Sequence, residues 1–428
     1  MPNRKLYYDV SELLSRGLAT GIQRVVRKIA ANGEQVSGEF GFVMIPVVAI
    51  GSRFHALNER GRTVLFGDPV VSDNAFTTGD ATTARLAKRI VARVPALYDF
   101  LQRLYSRHYV IVRLKEFHKV EPVVFGSGDC LVLLDSFWGG SSAVDGAEAA
   151  AAIGCAVVPV IYDMIPVTHP QFCGARLPDV FRAVVDRVFA VCTGIVSISA
   201  ASVHDIHAYT APNGRHVPAS HFYLGADIVR EGGHGHENAR GAWPAGLTAG
   251  EASTYIMVGT IEPRKGHAVV LEAFERLWAA GRDDRLLIVG KIGWSVDALM
   301  QRCAAHPELG RRLFIVHNAS DVMLAEAYGF VRAAIIASEI EGFGLPLVEA
   351  LHKGLPVIAS DIPVFREIAG EAALYFAVGD ASSLADTVLA MDGAITTYRQ
   401  AARAFRWIEW PDSARQFLTA LKTVIADA

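Results

Sequence analysis

The sequence has few cysteines, no long apolar run and almost no net charge, and each shortage argues against a class of protein. Its five cysteines among 428 residues include no CxxC pair, which favours buried thiols in a reducing compartment over disulfides or zinc sites. No apolar run approaches the roughly 20 residues that span a bilayer, and the opening MPNRKLYYDV lacks a signal-peptide core. A formal charge of −3 gives no argument for binding nucleic acid. We therefore expect a cytoplasmic protein, soluble or peripheral on the inner face of the cell membrane.

Apolar strand patterns that alternate with helix patterns indicate an α/β protein. Hydrophobic residues make up 51% of the chain, which is ordinary for this class, and the length is sufficient for two domains. Residues 229–250 are rich in Gly, His and polar residues, so we interpret them as an interdomain linker; residues 51–83 show no pattern that assigns an element. The predicted strands are 6–10, 42–50, 130–135, 156–161, 194–199, 255–258, 286–290, 313–316, 331–337 and 356–360.

Two glutamates separated by seven residues lie in the most informative segment, residues 338–365 (SEIEGFGLPLVEALHKGLPVIASDIPVF). A strand pattern precedes them, and Pro346 suits the first turn of the helix that follows. Glu341 then lies in a glycine-containing loop at the carboxyl end of the strand, where ligands bind in open α/β sheets. Glu349 lies about one turn inside the helix, and the free N–H groups of the helix start between them suit a phosphate.

Carboxylates on both sides of a phosphate site match the layout of a sugar nucleotide, which is sugar, diphosphate and ribose. Glu341 would accept hydrogen bonds from hydroxyls on one side and Glu349 from hydroxyls on the other. The alternative is that both are solvated charges at a loop and a helix start, which tolerate acids well. The spacing alone leaves both interpretations open, and the strand, glycine loop and helix around it favour the binding site.

A basic turn follows the predicted strand 255–258, in the sequence GTIEPRKGH at residues 259–267. Arg264 offers a planar fork and Lys265 a compact charge, so together they would clamp a diphosphate. The alternative interpretation is a basic loop tip in solvent.

Two further sites are predicted in the first half of the chain. The strand 156–161 delivers Asp163 to the carboxyl edge of the first sheet, where it would face a second domain across a cleft; alternatively, Asp163 caps its own loop. Gly21, with Thr20 as the helix cap, forms a glycine turn after the first strand, a position that often faces a crevice. The interpretation of this segment as an ordinary tight turn between a strand and a helix stays equally open.

Residues 85–119 form a strongly basic stretch, with nine Lys or Arg against Asp99 and Glu116 and with five aromatic residues between them. Such a stretch can bind an anionic membrane surface, or it can form the solvated face of a helix that covers the core. Both interpretations stay open, and the net charge disfavours nucleic acid as a third partner.

The segment 338–365 together with GTIEPRKGH resembles the donor-binding signature of retaining glycosyltransferase family 4, whose "GTxEPRK" form is common among transferases that use GDP-mannose. Looser similarities in TGIQR (20–24), YDMIP (162–166) and FRWIEW (405–410) extend the resemblance over nearly the whole chain. It implies an α/β GT-B fold, with two Rossmann-like doubly wound domains facing a central cleft. The implied units are an acceptor-side domain at 1–228, a linker at 229–250, a nucleotide-sugar domain at 251–403 and a C-terminal helix at 404–428 that returns to the first domain.

The resemblance also implies a role for each candidate residue. Glu341 would touch the transferred sugar and Glu349 the ribose, while Asp163 would lie near the transferred sugar and the acceptor. The implied catalytic residues are Asp163, Glu341 and Lys265, and the implied donor-binding residues are Arg264, Lys265, Glu341, Gly342, Phe343, Gly344, Leu345, Glu349 and Gly21. The chain departs from the family at Tyr162, where a histidine is usual, and at Thr260, where many relatives have an arginine.

These roles predict transfer of a hexose with retention of configuration. Mannose from GDP-mannose is the expected donor group, and a glycan or lipid-linked saccharide of bacterial-type surface polysaccharide synthesis is the expected acceptor. No DxD triplet occurs, so we expect no metal and no cofactor beyond the nucleotide-sugar co-substrate. Two alternatives stay open, a nucleotide-sugar epimerase of the same fold and a non-catalytic subunit that binds the donor without transferring it.

Overall fold

The computed structural model describes residues 4–16, 21–67, 114–139, 141–214, 216–226, 243–244, 246–247 and 253–426. The predicted cap Thr20, the greater part of the basic stretch 85–119 and most of the linker 229–250 lie outside these residues. Among the helices of the described part, none combines the length and the apolar character needed to cross a bilayer.

The first half of the chain forms a seven-stranded sheet in the spatial order β3-β2-β1-β4-β5-β6-β7. Neighbouring strands pair in parallel except for β2 and β3, which are antiparallel at one edge. The strands are β1 (Arg4–Asp9), β2 (Phe42–Ile50), β3 (Arg53–Ala56), β4 (Cys130–Leu133), β5 (Ala156–Ile161), β6 (Ile195–Ser197) and β7 (Ala219–His221). The α-helices are α1 (Ser11–Arg16), α2 (Gly21–Val36), α3 (Glu59–Phe66), α4 (Ser141–Ala152), α5 (Ile165–Thr168), α6 (Leu177–Val191) and α7 (Ala200–Thr210).

The second half forms a six-stranded parallel sheet in the order β10-β9-β8-β11-β12-β13. Its strands are β8 (Thr254–Val258), β9 (Arg285–Val289), β10 (Leu313–Val316), β11 (Ala333–Ile336), β12 (Val357–Ser360) and β13 (Ala373–Phe376). Its α-helices are α8 (His267–Ala279), α9 (Asp297–Ala304), α10 (Asp321–Phe330), α11 (Leu345–His352), α12 (Pro363–Ala369) and α13 (Ala381–Ala404), and α14 (Trp410–Ala426) ends the described chain.

The apolar runs become strands that are covered on both faces. Every residue of β4, β5, β11 and β12 is buried, as expected for parallel strands between two layers of helices. The unbroken hydrophobic character that identified these runs is therefore a consequence of their central position in the sheets.

The strand order of the second sheet reverses between β8 and β11, which lie side by side with Ala333 opposite Tyr255. The loops that follow the two strands leave the same edge of the sheet as neighbours. One loop carries GTIEPRKGH and the other carries SEIEGFG. Sheet topology therefore brings the two predicted motifs together at the point where open α/β sheets bind ligands.

The last helix, α14, packs on the first domain. A Cβ on Gly194, just before β6, would lie 2.6 Å from the Cβ of Val424, so only a glycine permits this approach. Ser413 Oγ donates a hydrogen bond to the carbonyl of Tyr223 at 2.6 Å. The chain thus returns to its first domain after completing the second.

A hairpin that the sequence pattern did not assign adds the edge strand β3. Ile50 pairs with Arg53, so the loop between the strands has two residues, and Gly51 adopts a φ of 63°. Two-residue hairpins require such left-handed backbone. The turn signal was a single glycine, which is too weak to predict the hairpin on its own.

Candidate active site

The turn after β8 packs against the carboxyl end of β11. Residues Pro263–Lys265 form a 3₁₀ turn that ends at Gly266 with a φ of 75°. A Cβ on Gly266 would lie 2.2 Å from the carbonyl oxygen of Ala337, and the Glu339 amide donates to the Arg264 carbonyl at 2.8 Å. The glycine therefore permits the contact that joins the two motifs.

Glu341 lies at the centre of a cluster of charges formed by these two loops. Lys265 Nζ contacts Glu341 Oε1, and Arg264 Nη1 lies 2.9 Å from Glu341 Oε2. Ser338 Oγ donates to Glu341 Oε1 at 2.8 Å, while Arg264 Nε lies 2.7 Å from Glu262 Oε1. Two cations and two carboxylates thus meet at the carboxyl edge of the second sheet.

The cluster keeps Glu341 ionised. Burial by itself would raise the pKa of Glu341, but the charges of Lys265 and Arg264 together with its hydrogen bonds bring that pKa down to about 2. At neutral pH Glu341 is therefore an acceptor for hydroxyl groups, and the two cations beside it are suited to a diphosphate.

Asp163 faces this cluster from the first domain. It follows β5, and its Oδ1 accepts the Ile165 amide at 3.0 Å, so it does cap its own loop. Burial raises the pKa of Asp163, Arg264 opposes the rise and the charge of Glu341 adds to it. A Cβ on Gly342 would lie 3.1 Å from the Cβ of Asp163, so the fold places Asp163 of the first domain next to the loop that carries Glu341.

The Glu341 loop touches the first domain directly. A Cβ on Gly342 would lie 2.2 Å from the Tyr162 carbonyl oxygen, and the Gly342 carbonyl accepts hydrogen bonds from Ser199 Oγ at 2.8 Å and Ser202 Oγ at 3.3 Å. The two serines were not predicted as site residues, because only the folded chain places them beside Gly342.

The side chain of Phe343 packs among aromatic residues. The whole residue is 3% exposed, and its ring centroid lies 5.9 Å from that of Trp407 and 6.4 Å from that of Tyr223. The side chain of Phe343 is therefore part of the core and does not reach a ligand. Gly344, with a φ of 101°, precedes α11, and a Cβ there would lie 2.6 Å from Phe365; half-buried Leu345 begins the helix.

Glu349 has a partner in the first domain. Arg24 Nη1 of α2 lies 2.8 Å from Glu349 Oε1. Gly21, at the start of the same helix, is exposed, and a Cβ there would meet no atom within 4 Å. Close backbone approach of a ligand to Gly21 stays a prediction.

Two buried acids that were not predicted as site residues underlie this part of the first domain. Asp9 ends β1, and its Oδ1 accepts hydrogen bonds from the Ser11 hydroxyl and amide. Asp135, which follows β4, accepts the Leu13 amide at 2.6 Å and Gln23 Nε2 at 3.4 Å. Burial raises the pKa of both acids, that of Asp9 to about 8. These acids hold α1 and α2 in place.

No group of three or more His, Cys, Asp or Glu side chains within the described ranges is arranged to hold a metal ion. His204 and His207, three residues apart on α7, belong to no such group.

Known proteins resemble both the sequence and the fold. Residues 244–391 match the family described as Glycosyl transferases group 1. Two Escherichia coli proteins named serotype-specific mannosyltransferase WbdA are 34% and 38% identical, each over 99% of this chain and over 46% and 47% of their own lengths. The chain thus spans about half the length of these curated relatives.

Solved structures show the fold. Anabaena Alr3699/HepE in complex with UDP and glucose is 14% identical with a TM-score of 0.57, over 98% of this chain and 99% of that one. Sucrose-phosphate synthase from Thermosynechococcus elongatus is 15% identical with a TM-score of 0.58, over 99% and 100%. The predicted arrangement of two Rossmann-like parallel α/β domains is confirmed.

Proposed function

We propose that this chain, whose residues 244–391 match the family described as Glycosyl transferases group 1, is a retaining mannosyltransferase. It would move mannose from GDP-mannose to a glycan or lipid-linked saccharide in the synthesis of a surface polysaccharide. The similarity to proteins named serotype-specific mannosyltransferase supports the mannosyl group and the pathway class. The observation that carries the chemistry is the contact of Glu341 with Arg264 and Lys265 opposite Asp163.

The donor would bind in this cluster by replacing the carboxylate of Glu341 as the partner of Arg264 and Lys265. Arg264 and Lys265 share the carboxylate of Glu341, and Arg264 also pairs with Glu262; a diphosphate offers both cations negatively charged oxygens in place of Glu341. Glu341 Oε1 and Oε2 would then accept hydrogen bonds from hydroxyls of the transferred sugar. Negative charge builds on the diphosphate as it leaves, so cations fixed in advance stabilise the transition state more than the ground state.

The transfer would proceed at one face of the sugar. The bond between the anomeric carbon and the diphosphate oxygen breaks, the acceptor oxygen forms a bond to that carbon on the same face, and the acceptor proton passes to the departing phosphate. Asp163 would hold a hydroxyl of the transferred sugar or acceptor by a hydrogen bond. Arg264, Lys265 and the positive end of α11 would balance the leaving group, so we propose that no divalent metal is needed.

A binding screen followed by a transfer assay tests this function. Thermal unfolding is measured with GDP-, UDP- and dTDP-sugars, and GDP-mannose should stabilise the chain most; UDP-sugars are included because a structural neighbour was solved with UDP and glucose. Labelled mannose from GDP-mannose should then appear in a saccharide acceptor with its configuration retained, and EDTA should not change the rate.

Other results of these two assays would indicate a different function. Binding without transfer or hydrolysis indicates a non-catalytic donor-binding subunit, and turnover of the sugar nucleotide without an acceptor indicates an epimerase. Absence of stabilisation by any sugar nucleotide would reject the whole proposal.

A further inference from the structure

The ion pair of Arg24 and Glu349 joins the two domains at the proposed ribose side of the site. The two residues are 325 positions apart, and Arg24 Nη1 lies 2.8 Å from Glu349 Oε1. Their side chains are 38% and 21% exposed, so the pair lies where solvent and a ligand can reach it. It is separate from the Lys265–Glu341 contact.

The first sheet anchors Arg24. Its neighbour Gln23 is 3% exposed and donates to the buried carboxylate of Asp135 at 3.4 Å. On the other side, Val25 and Val26 are buried in the core. These contacts fix the backbone of Arg24, and its guanidinium extends from a part of the helix that is anchored to the first sheet.

The contact with Arg24 restricts the side chain of Glu349. A glutamate side chain loses rotamer entropy when a ligand fixes it, and a partner that holds it beforehand reduces that loss on binding. An ionised carboxylate has about four acceptor positions. A carboxylate can therefore accept a guanidinium and hydroxyl groups together.

We propose that Arg24 is a positioning residue for nucleotide recognition, which holds the Glu349 carboxylate across the cleft so that it accepts both hydroxyls of the donor's ribose. This inference rests on the proposed function, which supplies the ribose. Because the pair joins the two domains, recognition of the ribose is complete only when the domains lie together as they do here.

Affinities for GDP and for 2′,3′-dideoxy-GDP, which lacks both ribose hydroxyls, test this role. Calorimetry on the full chain should show an advantage of about tenfold or more for GDP, because hydrogen bonds to a charged group are strong. Arg24→Gln should reduce this advantage severalfold with the dideoxy-GDP affinity nearly unchanged, and Arg24→Lys should restore part of it. Glu349→Gln should remove most of the advantage, and adding Arg24→Gln in that background should change nothing further.

Three results would overturn the proposal. Equal weakening of both nucleotides by Arg24→Gln would mean that Arg24 acts on the diphosphate or on the fold. An unchanged advantage would mean that Arg24 does not act on the ribose contact. A gain in GDP affinity would mean that Arg24 competes with the ribose for Glu349.

A matched control removes another arginine–glutamate pair. Arg415 of α14 lies 3.0 Å from Glu39, which precedes the amino end of β2 and so lies at the opposite edge of the first sheet. Arg415→Gln should leave both affinities unchanged. Failure of the wild-type chain to bind GDP, or UDP as a second probe, would reject the proposed function itself and this inference with it.

Discussion

The carboxylate of Glu367, on α12 of the second domain, accepts the backbone amide of Ala200 at 2.7 Å, at the first turn of α7 in the first domain. Its other oxygen accepts the Ala201 amide at 2.9 Å. A helix start leaves its first amides without partners inside the helix, and its positive end favours an acid. Glu367 of one domain therefore accepts the first two amides of a helix in the other domain, and Ser199 accepts the Ser202 amide as the N-cap of the same helix.

Glu367→Ala should weaken the association of the two domains, because it removes two hydrogen bonds to a charged group worth about 1.5–3 kcal/mol each. We expect the radius of gyration in small-angle X-ray scattering to rise and kcat/KM for the donor to fall about tenfold. Glu371→Ala, an exposed glutamate four positions further on, is the control and should change neither quantity. An unchanged radius together with unchanged kinetics in Glu367→Ala would contradict a role in closure.

Glu341→Gln should lower kcat for mannose transfer at least about a hundredfold, the typical effect of removing one preorganised electrostatic group from an active site. The glutamine side chain is neutral, so it cannot offset the positive charges of Arg264 and Lys265. It also has an NH2 donor in place of one of the two carboxylate oxygens that accept hydrogen bonds. The measurement is the initial rate at saturating GDP-mannose, with circular dichroism to verify the fold. Glu339→Gln, in the same loop, keeps its backbone bond to Arg264 and should stay near wild-type; near-normal turnover by Glu341→Gln would remove Glu341 from the mechanism.

Asp163 should produce an acid limb in the pH profile. Burial raises its pKa above the ordinary value of 3.8, so its carboxylate gains a proton, and stops accepting a hydroxyl hydrogen bond, at a higher pH than an exposed aspartate would. We expect kcat/KM to fall as the pH drops through that raised pKa. Asp163→Asn should lower the plateau value of kcat/KM about tenfold or more, and the fall of kcat/KM at low pH should become smaller. An acid limb that persists in Asp163→Asn would assign it to another group.

Asp9 should make the protein less stable as the pH rises. Its Oδ2 is buried and has no hydrogen-bond partner among the residues that the structure describes, and burial raises its pKa from 3.8 to about 8. Between these values the unfolded chain has released this proton and the folded chain keeps it, so the free energy of unfolding falls by up to about 1.4 kcal/mol per pH unit.

Asp9→Asn removes this titration while keeping the shape of the protonated acid. Urea unfolding measured from about pH 5 to pH 8 should therefore show a free energy of unfolding that changes less with pH in the variant. At the upper end of this range the variant should be more stable than the wild-type protein. Parallel curves for the two proteins would show that Asp9 is ionised in the folded state.

The two turns of the second domain could be predicted from the sequence because their signals are local. Residues 255–258 were predicted as a strand, and Thr254–Val258 is one. Pro346 was predicted in the first turn of a helix that continues through 347–352, and the helix occupies Leu345–His352. Apolar runs, a proline in a first helical turn and glycines at tight contacts act within a few residues. The same local order indicated a ligand edge near Glu341 before any contact was visible.

Which side chains meet was decided only by the tertiary structure. Arg24 is 325 positions from Glu349 and Glu367 is 167 positions from Ala200, and no periodicity relates residues so far apart. Their pairing depends on how two separately folded sheets are placed against each other. Likewise, the sequence shows Asp9 and Asp135 only as acids at the ends of predicted strands, and their raised pKa values exist because packing removes water from around them. Local chemistry thus determines the elements and the sheet edge where the two motifs lie, whereas domain packing and desolvation determine which side chains pair and which charge states they take.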